Sequence, residues 1–177
     1  MTLDDRRLRN ALGQFPTGVT IITSVTASGE RLGMTISSFS SLSLDPPLIL
    51  FSIHRRANSF AAWQQVTHYA VNILNEAQEE LSNRFALPKG EKWAGLTMHA
   101  GKTGVPLLPN AMVTLECEPY GRYEGGDHEI FVGRVVEVHE NLAKRGRPLV
   151  FSGGRYRQLA VGTAHAPPSE ANFLYGW

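Results

Sequence analysis

The chain has 177 residues, a formal net charge of +1, and 42% hydrophobic against 19% charged residues, which is enough for one domain with a full core and short for two. So balanced a charge, with no run of Lys or Arg interleaved with aromatics, argues against a nucleic-acid groove. No stretch approaches the roughly 20 apolar residues of a membrane span, and MTLDDRRLRN carries charges where a signal peptide needs its apolar region. A single soluble, cytoplasmic domain over residues 1–177 is expected. Cys117 is the lone cysteine, so no intrachain disulfide can form, and its setting in VTLECEP suits a small buried apolar side chain.

The first element reads as a helix. Leu8, Ala11, Leu12 and Phe15 follow the i, i+3, i+4, i+7 spacing of one face, Thr2 or Asp4 can cap its start, and Pro16 and Gly18 end it. Val19–Thr26, rich in Val, Ile and Thr, reads as a strand, and ASGE supplies a hairpin turn into the next. That strand enters Gly33–Pro47, GMTISSFSSLSLDPP, where Thr35, Ser37, Ser38, Ser40, Ser41 and Ser43 alternate with apolar residues. Hydroxyls and backbone N–H groups with few formal charges suit a phosphorylated ligand rich in hydrogen-bonding groups, such as a flavin. By composition alone the same stretch also fits a Ser/Thr-rich strand running into a turn.

Asp45–Pro46–Pro47 is expected to interrupt regular hydrogen bonding, because proline has no N–H to donate. Leu48–Ile53 then resumes as a buried strand. His54, Arg55 and Arg56 follow it, and Asn58 or Ser59 can cap a short helix with Phe60, Trp63 and Val66 inward. The two arginines beside that helix start form an anion-site arrangement as readily as an ordinary charged loop. Tyr69–Leu74 reads as a strand and Asn75–Leu87 as a helix in which Ala77, Leu81 and Phe85 recur every four residues. From Leu87 to Asn110 the glycines and prolines are too dense for long elements, so a winding excursion at the rim is expected. Ala111–Tyr123 and Glu129–His139 form a hairpin across EGGD, with Gly133 at a shift of alternation that marks a bulge. Leu149–Ser152 is a last short strand before GGRYRQL and an irregular tail.

Six or so strands with turn signals and short helices between them predict a mainly β (α+β) protein, an antiparallel barrel with helical caps. No GxGxxG follows the first strand, so a Rossmann fold is disfavoured. The histidines show no HxxxH or HExxH pairing, so no metal site is expected.

FPTGVTIITS, GMTISSFSSLSLDPPLILFSI, YAVNILNEAQEELSNRFA, GVPLL, LECEPYGRYEGGDHEIFVGRVVEV and PLVFSGGRYRQL together resemble, in order and spacing from about Phe15 to Leu159, the short-chain flavin reductase family. The resemblance implies an FMN-binding split β-barrel of antiparallel Greek-key type. It also implies a homodimer that binds FMN or FAD and reduces it with NADH or NADPH, often to supply reduced flavin to a separate monooxygenase. By the same resemblance, Gly33, Met34, Thr35, Ile36, Ser37 and Ser38 lie against the flavin ring and ribityl chain, with Ser52, Ile53 and His54 as the next wall. Ser59, Arg84 and Phe85 surround the phosphate side. Relatives with Asn or Ala where this chain has Ile36–Ser37 imply ring contacts made mainly by backbone.

His128 of GGDH resembles the catalytic residue that meets the nicotinamide, and Arg155 with Tyr156 resembles a second coenzyme-side element. On local pattern alone, GGDH equally fits an ordinary turn before a strand. Two alternatives stay open: a related split-barrel flavoenzyme with another acceptor, such as an oxidase or a metal-corrinoid reductase, and a non-enzymatic flavin-binding module.

Overall fold

The computed structural model describes residues 3–141 and 146–162. Thr2 and the tail beyond Gly162 therefore lie outside the described residues. Helix α1 (Asp5–Leu12) starts at Asp4, whose carboxylate accepts the Arg7 N–H at 2.6 Å, and ends at Gly13. Its apolar face forms as the spacing predicts but finds no cover among the described residues: Leu8, Leu12 and Phe15 are 41%, 66% and 76% exposed.

Twelve strands are described: β1 (Thr17–Gly18), β2 (Thr20–Val25), β3 (Arg31–Ile36), β4 (Ser40–Leu44), β5 (Pro47–His54), β6 (Tyr69–Ile73), β7 (His99–Ala100), β8 (Pro106–Leu107), β9 (Val113–Gly125), β10 (His128–Glu140), β11 (Val150–Ser152) and β12 (Arg155–Arg157). Seven make one antiparallel sheet in the order β3-β2-β6-β9-β10-β5-β4. The two outermost strands, β3 and β4, are consecutive in sequence. Only Ser37, Ser38 and Phe39 separate them, so their ends stand no more than about 14 Å apart even fully extended. The sheet must curl until its edges meet. Ser38, just before β4, continues the β4–β5 pairing, its Oγ accepting Ser52 N–H at 3.0 Å and donating to Ser52 O at 3.1 Å. The result is the expected mainly β architecture, a barrel left split between β3 and β4.

The barrel interior is filled by alternate residues of the strands, among them Ile22, Leu32, Ile36, Phe51, Ile53, Val71 and Phe131, joined by Trp63 from α2 (Phe60–Trp63). Phe51 stacks on Phe131 at 5.3 Å and meets Tyr69 edge-on. The pairing of β9 with β10 shifts register between Val132 and Gly133, where the bulge was expected. A side chain at Gly133 would collide with the Tyr69 hydroxyl, so glycine is what admits that ring to the wall.

Two sequence expectations are corrected. Pro47 does not stand outside the sheet but opens β5, paired with Leu44, because the first residue of a strand can lack an N–H without breaking the ladder. The helix expected over Asn75–Leu87 is a 3₁₀ turn, Glu76–Gln78, followed by α3 (Glu79–Ala86). Asn75 and Gln78 close a capping box, Ala77 N–H to Asn75 Oδ1 at 2.9 Å and Asn75 N–H to Gln78 Oε1 at 3.1 Å, which tightens that first turn.

The 87–110 excursion winds as expected and is held by buried polar residues. Asn72 donates to Ile21 O and Thr23 Oγ1 and accepts from Leu108 N–H and Thr114 Oγ1. Glu116 is fully buried, receiving Lys102 N–H at 2.9 Å, Thr103 N–H at 2.8 Å, the Thr103 hydroxyl and His139 Nε2 at 2.6 Å. Burial pushes this carboxyl up, but the bonds from Thr103, His139 and Lys102 outweigh it and hold the group at about 2. Because that lies below the ordinary 4.5, its contribution to stability is complete above pH 4.5 and drains away as pH falls toward 2. Glu116→Gln should thus lower unfolding free energy near neutral pH by about 1.5–3 kcal/mol. In denaturant titrations its deficit against the parent should shrink between pH 4.5 and 2. A deficit constant over that range would exclude ionisation as the cause.

Candidate functional site

A groove of about 980 Å³ opens beside β3, within the size range of small-molecule sites. One wall is Arg31–Thr35 of β3; others come from Ala57–Ser59 before α2, Phe85 and Ala86 at the end of α3, and the start of the excursion, including Lys89, Lys92 and Trp93. Gly33 sets its depth. A Cβ there would overlap ring carbons of Phe85 and stand 3.0 Å from Trp93 Cζ2, so only a glycine lets these rings close on the strand. Phe85 and Trp93 meet edge to face at 4.9 Å.

Lys92 reaches across to donate to Gly33 O and Phe85 O, both at 3.1 Å, and partial burial lowers its pKa. An ammonium carries three donors, so one remains for the groove. Arg31 and Lys89 add positive charge against Glu30, which makes the lining suited to an anionic, phosphate-bearing ligand. It is the chain's own excursion that lines this groove.

The residues named from sequence fall in several places. Gly33, Met34, Thr35, Ser59 and Phe85 line the groove, with Thr35 Oγ1 donating to Ser82 O at 2.7 Å. Ile36 and Ile53 face the barrel core, so backbone is what they can offer a ligand, and Ser37, Ser38 and Ser52 sit at the seam. Arg84 is not among the groove lining; it donates to Ala94 O at 3.0 Å and lies 3.7 Å from Glu80. Tyr156 turns inward to Ser82 Oγ at 2.8 Å and donates to Asn83 Oδ1 at 3.2 Å, while its neighbour Arg155 is exposed.

His54 and His128 pair in register where β5 meets β10, their rings 4.9 Å apart and both beside Asp127. The hydrogen bond from His128 holds the Asp127 carboxyl below the usual carboxylate range. Arg55 is committed to Glu124 and Glu129, each at 3.8 Å, so it does not form the anion site its sequence position allowed. Sequence reasoning missed Arg31, Lys89, Lys92, Trp93 and Asp127. The signal available was KGEKW, two lysines and a tryptophan just after a helix, read as rim loop.

Two substitutions separate shape from charge. Gly33→Ala should displace Phe85 and weaken binding of both riboflavin and FMN by tenfold or more, at a cost of about 1–3 kcal/mol in stability. Lys92→Met should weaken FMN about tenfold and riboflavin, which has no phosphate, much less. Equal losses for the two ligands with Lys92→Met, read by flavin fluorescence quenching, would place the lysine away from the phosphate.

Comparison with known proteins bears on what occupies this groove. Residues 12–160 match the flavin reductase like domain, and the chain belongs to that family. It is 39% identical over 157 residues to the FMN reductase (NADH) SmoA of Agrobacterium fabrum, covering 89% of this chain and 87% of that protein. Nitrilotriacetate monooxygenase component B from Mycobacterium thermoresistibile superposes with a TM-score of 0.90 at 35% identity, over 97% of this chain and 94% of that one. The NADH:FAD oxidoreductase of Streptomyces globisporus, solved with NAD and FAD fragments, gives 0.84 at 36% identity, over 93% and 99%. Two other relatives are longer, this chain spanning 55% and 58% of their length. Among the described residues no helix is long and apolar enough to cross a membrane.

Proposed function

We propose that this chain is an NAD(P)H-dependent flavin reductase that takes FMN or FAD in the Gly33 groove and supplies reduced flavin to a partner monooxygenase. The observation that carries the reading is the groove itself, closed by two aromatic rings on a glycine strand and lined by Arg31, Lys89 and Lys92. A flat, phosphorylated cofactor fits that donor set. When bound, the flavin supplies the acceptor for a hydride from nicotinamide, the electronic part of the reaction. The protein's work is then placement. Gly33–Thr35 present backbone edges, Lys92 and its neighbours hold the phosphate, and His128 stands at the next strand end to meet the coenzyme.

His54, Ser52, Ser38 and Ser37 extend the wall along the seam in this reading. Arg84 acts on the phosphate side through the excursion it holds at Ala94, while Arg155 and Tyr156, the latter bonded to Ser82 and Asn83 of α3, act on the coenzyme side. We also take residues 1–177 as one domain, a reading supported by the continuous seven-stranded sheet from β2 to β10, and place it in the cytoplasm. Steady-state oxidation of NADH and of NADPH with each flavin, followed by gel filtration to see whether flavin stays with the protein, tests the function. Flavin-dependent coenzyme oxidation is expected. A preparation that binds flavin yet oxidises neither coenzyme would leave only a flavin holder.

The exposed face of α1 supports a C2 homodimer, since Leu8, Leu12 and Phe15 have no cover among the described residues. Sedimentation should give a mass of about 39 kDa, twice 19.5 kDa, and Leu12→Asp with Phe15→Asp should shift it toward the single-chain value. A fully active single chain at nanomolar concentration would count against the dimer.

A further inference from the structure

Asp127 stands between two imidazoles at the end of the β5–β10 ladder, and its geometry assigns the protons on both rings. His128 Nδ1 lies 2.7 Å from Asp127 Oδ1. An ionised carboxylate only accepts, so that nitrogen carries the hydrogen and, in the neutral ring, Nε2 keeps the lone pair. His54 is fixed from the other side. Its Nδ1 accepts the Arg56 N–H at 2.9 Å, which puts the proton of the neutral ring on Nε2, 3.6 Å from Asp127 Oδ2.

The carboxylate is held for this purpose. Arg55 N–H bonds to Asp127 O at 2.9 Å, tying the turn to the end of β5. The neighbouring cations are committed elsewhere: Arg55 to Glu124 and Glu129, and Arg122 to Glu129 at 3.4 Å. Gln64 Nε2 also donates to Glu129, at 3.2 Å. Asp127 therefore faces the two histidines without an arginine competing for it in the described contacts.

We propose that Asp127 is a positioning residue that locks His128 in the Nδ1–H tautomer, presenting Nε2 as a hydrogen-bond acceptor to the carboxamide N–H of the nicotinamide coenzyme. The arrangement is the carboxylate–histidine pairing that fixes ring orientation in many sites. It rests on the reading of His128 as the coenzyme-side residue. It also carries a specificity: a reduced coenzyme with a carboxylate in place of the carboxamide offers no N–H to Nε2 and should be used less well.

The test is nitrogen-15 NMR of the histidine side chains, with steady-state kinetics, on the full chain and on Asp127→Ala and Glu124→Ala. Both variants alter exposed side chains, Asp127 in the turn and Glu124 at the end of β9, so both should fold, and Glu124→Ala controls for loss of a charge that does not touch His128. Above the histidine titration range His128 should be the Nδ1–H tautomer in the parent and in Glu124→Ala, and a mixture in Asp127→Ala. Asp127→Ala should raise KM for the coenzyme three- to tenfold with flavin affinity unchanged. An Nε2–H tautomer in the parent, an unchanged tautomer in Asp127→Ala, or an unchanged KM beside a changed tautomer would each overturn the proposal. Parent turnover with NADH or NADPH is read separately, so failure of the reductase reading shows as absent turnover, whatever the tautomer.

Discussion

Three residues between β3 and β4 constrain the whole molecule. Ser37, Ser38 and Phe39 cannot span a flat seven-stranded sheet, in which the outer strands would lie about 28 Å apart at roughly 4.7 Å per step. Closure is therefore dictated by chain length and not by a complete ladder of hydrogen bonds. Ser38 anchors the short connector to β5, bonding both the N–H and the C=O of Ser52. The hydroxyls that first read as a ligand surface divide accordingly: those on β4 edge the sheet, Ser38 ties the connector to β5, and Thr35 holds α3 through Ser82 O.

Outside the barrel, depth in the groove comes from contacts between distant segments. Val19, Ile21, Leu74, Phe85, Leu108 and Leu149 make a second apolar cluster, on which the excursion lies. Apolar packing alone would leave so irregular a segment free to slide. Asn72 and Glu116 counter this because a buried amide and a buried carboxylate are costly unless met by partners, and Leu108, Lys102 and Thr103 of the excursion are among those that meet them. Lys92 completes the fastening at the groove itself, bonding one carbonyl on β3 and one on α3.

What the sequence made legible was local. The Asp4 cap, the β2 and β5 apolar runs, the bulge at Gly133 and the β9–β10 hairpin each follow from neighbours a few residues apart, where spacing and turn chemistry act directly. The groove did not follow in this way, because Lys92 meets Gly33 across 59 positions and nothing in KGEKW announces which strand it will reach. The apolar stripe of α1 was legible as a stripe, yet periodicity cannot say whether the same chain will cover it. For Asn75–Leu87 the four-residue recurrence held from α3 onward, while the side chains of Asn75 and Gln78 captured the first turn.

The groove and the histidine pair are joined by a short piece of chain. His54 ends β5, and Ala57, Asn58 and Ser59 line the groove. Five residue steps from His54 to Ser59 bound their separation at about 18 Å even if extended, and the chain is not extended there. Ala57 N–H returns to His54 O at 2.9 Å, Phe60 N–H to Ala57 O at 2.9 Å, and Arg56 N–H to the His54 ring. Each bond draws the turn tighter and fixes the imidazole relative to the groove wall. Asp127, in the turn before β10, stands against both rings, so the placement of the two imidazoles beside the groove wall is set by these turn and side-chain contacts. The proposed reaction between two stacked rings needs such placement held closely, and here it rests on a hydrogen-bonded turn at the end of the β5–β10 ladder.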